Sequence, residues 1–141
     1  GRGVLSEHME TARALVARYY AAFNAGDVDG MLDCLSDDVA HHVNEGAVRR
    51  GKPAFAEFCV HMNRCYRERL TDIVVMASPD GTRAAAEFTV NGTYLETDAG
   101  LPEASGQTYV LPAGFFSIEG GRSSRVVTYY NLADWVRQVS A

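Results

Sequence analysis

The chain has 141 residues, of which 47% are apolar and 22% are charged, and its formal net charge is -5. This composition fits one globular domain with a sizeable core and leaves little room for a second. The acidic balance argues against nucleic acid as a partner, since phosphate binding needs clustered Lys and Arg, and the lack of a run of about 18 apolar residues argues against a membrane span.

The first elements show the three-and-four spacing of amphipathic helices. A helix over 11–24 is predicted by apolar residues that share one face: Ala12, Leu15, Val16, Tyr19 and Phe23. Gly26 suits its C-cap, and Asp27 suits the N-cap of a shorter second helix. The polar stretch 36–38 ends that second helix, and 39–44 reads as a strand.

A long third helix is predicted to follow a loop. Pro53 occupies a first-turn position, and the helix extends to about Arg69. Its buried face comprises Phe55, Phe58, Cys59, Met62, Cys65 and Tyr66. Its solvent face comprises Glu57, His61, Arg64, Arg67 and Glu68.

The pattern after residue 70 is typical of strands. Four strands are predicted, over 73–77, 82–97, 107–118 and 126–130. In the second of them the residues of one face are Ala86, Phe88, Val90, Gly92 and Tyr94. Pro112 and Gly114 predict a bend in the third, and 132–139 predicts a terminal helical turn or two.

Helices followed by a meander of strands predict an α+β domain, because βαβ alternation is missing. A long bent sheet and three N-terminal helices can close over a cavity. The domain is expected to cover 9–141, with 1–8 as a tag or a disordered segment. Three cysteines, an odd number without a CxxC pair, argue against a disulfide framework and favour a reducing, cytoplasmic compartment.

Four segments resemble the SnoaL-like, NTF2-like family, and in particular ketosteroid isomerase-related proteins. They are 18–27 (RYYAAFNAGD), 35–39 (LSDDV), 50–55 (RGKPAF) and 121–127. The resemblance implies a cone-shaped, cystatin-like fold with a curved mixed or antiparallel sheet around a pocket. It also implies a homodimer formed through the outer sheet face, and neither a metal nor an organic cofactor.

The ketosteroid isomerase constellation is only partly present. In that enzyme an Asp base moves a proton, while a Tyr and a protonated Asp donate hydrogen bonds to the dienolate oxygen. The resemblance places the Tyr at Tyr19, the base at Val43 and the acid at Gly114. Neither Val43 nor Gly114 can transfer a proton, so steroid isomerase chemistry is not expected.

Other residues are candidates for acid–base chemistry. Strand alternation with Val39 and Val43 points His41 inward, where an imidazole suits a general base; a buried structural histidine is the alternative. Glu87 is a possible alternative base if a bulge turns it inward, and otherwise lies on the outer face. No metal site is expected, because His61 falls on the solvent face of its helix.

Substrate-binding candidates are mostly apolar. Asn44 and Asn131 are expected to position a substrate oxygen or, alternatively, to cap turns. The expected pocket lining is Phe23, Phe58, Met62, Tyr66, Phe88 and Phe116.

Three functions stay open. The first is an isomerase, a cyclase or a hydratase/dehydratase that acts on a small apolar organic molecule. The second is a non-catalytic binding module for a hydrophobic ligand, and the third is an oligomerisation domain with a filled cavity.

Overall fold

The computed structural model describes residues 2–43, 46–119 and 121–140. Its elements are α1 (Arg2–Ala25), α2 (Val28–Asp33), β1 (Leu35–Val43), β2 (Arg49–Arg50), α3 (Lys52–Cys65), β3 (Tyr66–Ala77), β4 (Arg83–Tyr94), β5 (Thr108–Glu119), β6 (Arg122–Thr128) and α4 (Leu132–Ser140). Helices dominate the first half and strands the second, which confirms the predicted α+β class.

The strands form one six-stranded sheet in the order β2-β1-β6-β5-β4-β3. β1 and β6 are parallel and the other neighbouring pairs are antiparallel, so the sheet is mixed. The register shifts between Thr71 and Val74 in the β3–β4 pair, and between Ala85 and Phe88 in the β4–β5 pair. Bulges of this kind bend strands and curve a sheet. Gly114, where a bend was predicted, lies opposite the second shift.

α1 begins at Arg2, earlier than the predicted start, so residues expected to be a tag or a disordered segment are helical. Its end is fixed by Asn24, whose amide donates to the Leu70 carbonyl at 3.0 Å. The Asn24 side-chain oxygen accepts the Leu70 N–H at 2.8 Å. Gly26 then adopts a φ of 70°, which confirms the predicted C-cap. Asp27 caps α2 by accepting the Gly30 N–H, also as predicted.

α3 ends at Cys65, and the prediction of a helix up to Arg69 was wrong. Tyr66 is extended, with φ −136° and ψ 146°, and it opens β3. The run Arg-Glu-Arg-Leu favours a helix locally, but its backbone groups pair instead with β4, from Tyr66 opposite Tyr94 to Leu70 opposite Val90. Glu68 is therefore on a strand, on the same face as the buried Leu70.

β1 begins at Leu35, so 36–38 belongs to the strand rather than to a break after α2. In the predicted loop that follows, β2 pairs with β1. Val39 and His41 are both buried, as the alternation predicted. α3 contacts both β1 and β3, and α1 contacts β3 and β4. The core thus lies between these two helices and the inner face of the sheet.

α4 is the terminal helix that the sequence predicted. It covers the part of the β5 edge that does not pair with β6. Only the second half of β5 pairs with β6, beginning at Phe115. On the unpaired half, the Gln138 side chain accepts the Val110 N–H at 3.0 Å and donates to the Val110 carbonyl at 3.1 Å. The side-chain amide therefore satisfies backbone groups that a neighbouring strand would otherwise pair.

Candidate functional site

His41 lies in an aromatic environment between β1 and α3. Its side chain is 3% exposed, and its ring centre lies 4.7 Å from that of Phe55 and 4.6 Å from that of Phe58. Burial lowers the pKa of His41 to about 4, with help from the charges of Arg49 and His42. Within the described part of the chain, the Nδ1 atom has no hydrogen-bond partner. At neutral pH this is a buried, uncharged imidazole with one unused nitrogen.

Tyr19 approaches the same aromatic group from α1. Its ring centre lies 6.4 Å from that of Phe55, and the residue is 7% exposed. Burial raises the pKa of the Tyr19 phenol well above its usual range, and the nearby thiols of Cys59 and Cys34 raise it further. The phenol therefore stays protonated and can act as a hydrogen-bond donor. Phe55 links Tyr19 and His41, the two residues predicted from the sequence to be catalytic.

Glu68 supplies a carboxyl group on the inner face of the sheet. It forms one cross-strand row with Gly92 on β4 and Tyr109 on β5. The Tyr109 hydroxyl crosses β4 and donates to Glu68 Oε2 at 2.7 Å. The Tyr109 ring can cross β4 only at a glycine, because a Cβ on Gly92 would lie 2.2 Å from Tyr109 Cζ and would clash with the ring. Burial raises the pKa of Glu68, although the bond from Tyr109 opposes the shift.

Aromatic rings cover this end of the inner face. The Trp135 ring centre, on α4, lies 5.0 Å from that of Tyr94, 5.8 Å from that of Tyr109 and 6.0 Å from that of Tyr66. Tyr66 and Tyr94 are stacked at 5.4 Å. Tyr130 lies close enough for the charge of Glu68 to raise its pKa, after the larger effect of burial. The rings shield Glu68 from water, and this shielding causes its shift.

Asp98, in the loop between β4 and β5, organises a second polar group. Its Oδ2 accepts a hydrogen bond of 2.7 Å from the Tyr66 hydroxyl, and its Oδ1 lies 2.9 Å from His61 Nε2. The Asp98 N–H donates to the Tyr94 hydroxyl oxygen at 2.9 Å. This network joins the end of α3 to the loop.

Several predicted site residues lie elsewhere. Glu87 is exposed on the outer face of β4, which is the alternative placement predicted from the sequence; the β4 bulge does not turn it inward, so the condition for its use as a base is not met. Asn131 is exposed, and its Oδ1 accepts the Asp134 N–H at 3.0 Å, which is the capping alternative rather than substrate binding. Asn44 lies outside the described residues, and the side chain of Phe116 is likewise not described.

The apolar candidates for substrate binding whose side chains are described are buried or half-buried. Phe88 is buried, with its ring centre 4.8 Å from that of Tyr20, and Phe23 is packed against the core. Phe58 and Met62 are half-buried on α3, and the Arg49 guanidinium lies 4.8 Å from the Phe58 ring centre. Tyr66 is on β3 rather than on the helix, with its ring still partly buried.

Sequence reasoning missed Glu68 and Asp98. Glu68 was assigned to the solvent face of a helix, and Asp98 fell between the strands predicted over 82–97 and 107–118. The signal for Glu68 was the alternation of Tyr66, Glu68 and Leu70 with Arg67 and Arg69, which has the period of a strand. No comparable signal marks Asp98, because its position depends on contacts with residues far away in the sequence.

The sequence model of the SnoaL-like domain family matches residues 16–126 of this chain. The chain belongs to the SnoaL-like family. This confirms the resemblance drawn from the four sequence segments. Among curated proteins, none matches the chain.

Several solved structures superpose closely on this one. A candidate polyketide cyclase from Silicibacter sp. TM1040 is 63% identical, with a TM-score of 0.91 over 94% of this chain and 98% of that one. Another, from Pseudomonas putida KT2440, is 62% identical, with a TM-score of 0.89 over 91% of this chain and 97% of that one. A phenazine biosynthesis-related protein from Pseudomonas aeruginosa is 21% identical, with a TM-score of 0.83 over 99% of this chain and 92% of that one, and shares the fold.

No helix in the described ranges combines the length and the apolar character that crossing a membrane requires.

Proposed function

We propose that this SnoaL-like protein binds a small, largely apolar organic molecule in its interior and transfers a proton on it, as a cyclase or an isomerase does. The relatives that are 62–63% identical are candidate polyketide cyclases, and they match this chain over nearly their whole length. Enolisable aryl ketones and phenols are the substrate class that fits an aromatic interior with few polar groups.

The observation that carries the proposal is the unused Nδ1 of His41. A buried polar atom without a partner costs about 1–3 kcal/mol, so most are satisfied in native proteins. A ligand hydroxyl or an acidic C–H brought within reach of this nitrogen would supply the missing partner. An imidazole that stays uncharged at neutral pH can accept the proton.

Tyr19 and Glu68 complement His41 in this proposal. The protonated phenol of Tyr19 donates to a carbonyl oxygen as negative charge develops on it. Glu68 provides a carboxyl group on the inner face, whereas Val43 and Gly114 occupy the family positions of the isomerase acids. Its burial favours the protonated form, which suits a proton donor.

The test uses α-tetralone in deuterated water. Proton NMR follows exchange at the carbon next to the carbonyl, and ligand-observed NMR follows binding. We expect the wild-type protein to accelerate exchange, and Tyr19→Phe and His41→Asn to slow it at least tenfold, because each removes one proton-transfer or oxyanion group. His42→Asn is the matched control, since the neighbouring side chain lies on the opposite face of β1.

The outcomes separate the remaining alternatives. Binding of α-tetralone without any exchange favours a non-catalytic binding module. Equal exchange rates in the wild-type protein and both variants contradict the proposed roles of Tyr19 and His41.

We also propose that two copies pair through the outer sheet face in the cytoplasm. Large apolar side chains are exposed there, with Val74 at 55% and Met76 at 44%. A shallow groove of about 490 Å³ has described lining residues from β3, β4 and β6, among them Met76, Arg83 and Arg125. A second copy would cover this apolar area.

The three cysteines are buried and free, which supports a reducing compartment.

A further inference from the structure

The end of α3 carries two potential metal ligands on one face. His61 and Cys65 are four residues apart, so their side chains lie on successive turns of the helix. The loop after β4 brings Asp98 against them. The His61 nitrogen, the Cys65 sulfur and an Asp98 oxygen all lie within 4.8 Å of one another.

We infer that His61, Cys65 and Asp98 form a binding site for a divalent transition metal of the Zn²⁺ class, with water as the fourth ligand. Nitrogen, thiolate sulfur and carboxylate oxygen are the donors that zinc prefers. Bonds of about 2.0 Å to nitrogen and oxygen and about 2.3 Å to sulfur place tetrahedral ligand atoms roughly 3.5 Å apart. Binding an ion would bring the more distant ligand atoms together from separations within 4.8 Å, and would move His61 Nε2 and Asp98 Oδ1 apart from 2.9 Å.

Surrounding hydrogen bonds already orient the carboxylate. The Tyr66 hydroxyl donates to Asp98 Oδ2 at 2.7 Å, which leaves Oδ1 directed at His61. The backbone is held as well, because the Cys65 carbonyl accepts the Leu95 N–H at 2.7 Å. Partners that orient the ligands in this way support metal sites, and their loss commonly weakens binding 10- to 100-fold, an order-of-magnitude range.

The ion would replace the proton shared by His61 Nε2 and Asp98 Oδ1, which lie 2.9 Å apart. Arg64 donates to His61 Nδ1 at 3.4 Å, and this bond must break when the ring binds metal through Nε2. Arg64 is exposed and also lies 3.6 Å from Glu96, so it can turn towards that carboxylate. His61 is partly exposed and Cys65 is buried, so the ion enters from the solvent side.

This site is separate from the histidine that the proposed function uses. The sequence prediction of no metal rested on His61 facing solvent, without further histidines at ligand spacing. The earlier helix end instead places the chain reversal beside Cys65 and brings the loop with Asp98 over it.

The test titrates the purified, metal-free protein with Co²⁺ and follows absorption. We expect a thiolate-to-cobalt charge-transfer band together with the strong visible bands of a tetrahedral ion, and Zn²⁺ should displace the Co²⁺. Cys65→Ser should abolish the charge-transfer band, and Asp98→Asn should weaken Zn²⁺ binding at least tenfold in competition with a chelating dye. Tyr66→Phe should weaken it about tenfold, by loosening Asp98.

Cys59→Ser is the matched control, because Cys59 is also buried on α3 but lies six residues before Cys65, on a different side of the helix. Circular dichroism checks that each variant is folded. If Cys65→Ser does not fold, Asp98→Asn carries the test, since the asparagine side chain keeps an oxygen that can accept the Tyr66 hydroxyl. A Co²⁺ spectrum without a charge-transfer band, or equal Zn²⁺ affinity in the wild-type protein and Asp98→Asn, overturns the inference.

Discussion

Gly92 shows how one missing side chain positions another. The Tyr109 ring lies across the Gly92 backbone on its way to Glu68. We expect Gly92→Ala to lower the free energy of unfolding by about 1–3 kcal/mol, because the new methyl group has to displace the ring. Urea denaturation measures the change. Gly3→Ala is the control, since nothing lies within 4 Å of its added methyl group; equal effects of the two changes would contradict this account of the row.

The buried neutral imidazole of His41 predicts a pH dependence. Its pKa of about 4 lies below the unfolded value of roughly 6.5, so the unfolded chain binds more protons between these values. Stability from His41 is complete above about pH 6.5 and is lost as the pH falls through about 4. The charges of Arg49 and His42, next to His41, act in the same direction as burial and lower its pKa further.

Urea unfolding at about pH 7 and about pH 4 measures this loss. Between these two pH values, the free energy of unfolding should fall further in the wild-type protein than in His41→Asn. The difference between the two falls should be on the order of 3 kcal/mol. A parallel decline in the two proteins would show that His41 is not the responsible group.

At the scale of elements, α4 stabilises β5 through a side-chain amide rather than through a strand. Gln138→Ala leaves both backbone groups of Val110 without this partner. We expect a loss of about 1–2 kcal/mol of stability and faster hydrogen exchange at the Val110 amide. Arg137→Ala serves as the control, because Arg137 is exposed and pairs only with Asp134 among the described residues. Unchanged exchange at Val110 in Gln138→Ala would contradict this role of α4.

Elements defined by local patterns were predictable from the sequence. The buried face of α1 follows the helical period, and the buried face of β4, from Ala86 to Tyr94, follows the strand period. The caps at Gly26 and Asp27 depend on single residues whose backbone or side-chain chemistry is specific. Each of these features is encoded within a few neighbouring residues.

Elements defined by distant pairing were not predictable in this way. Local propensity favours a helix through Arg69, and only β4, much later in the sequence, converts 66–70 into a strand. The inward position of Glu68 depends on that conversion, so it was missed together with it. His41 was placed correctly because its orientation follows from the two valines beside it on β1.

In the proposed dimer, the exposed apolar residues on the outer face of the sheet are buried between the two copies. Met76→Lys places a charge on the exposed apolar part of that face, on the edge strand β3, and burying it between two copies is unfavourable. We expect light scattering coupled to gel filtration to give a dimer mass for the wild-type protein and a monomer mass for Met76→Lys. Val60→Lys is the control, because Val60 is 64% exposed on α3 rather than on the sheet. A wild-type monomer, or dissociation by both changes, would contradict a dimer through this face.

The curved sheet, α1 and α3 surround an interior in which His41 is expected to meet the ligand. The most direct test is a nitrogen-15 NMR spectrum of the histidine rings at neutral pH, with and without β-naphthol, whose hydroxyl can donate to Nδ1. We expect a neutral His41 whose Nδ1 resonance moves on binding, while the resonances of His8 and His42 stay in place. Binding of β-naphthol that leaves the His41 Nδ1 resonance unchanged would contradict it.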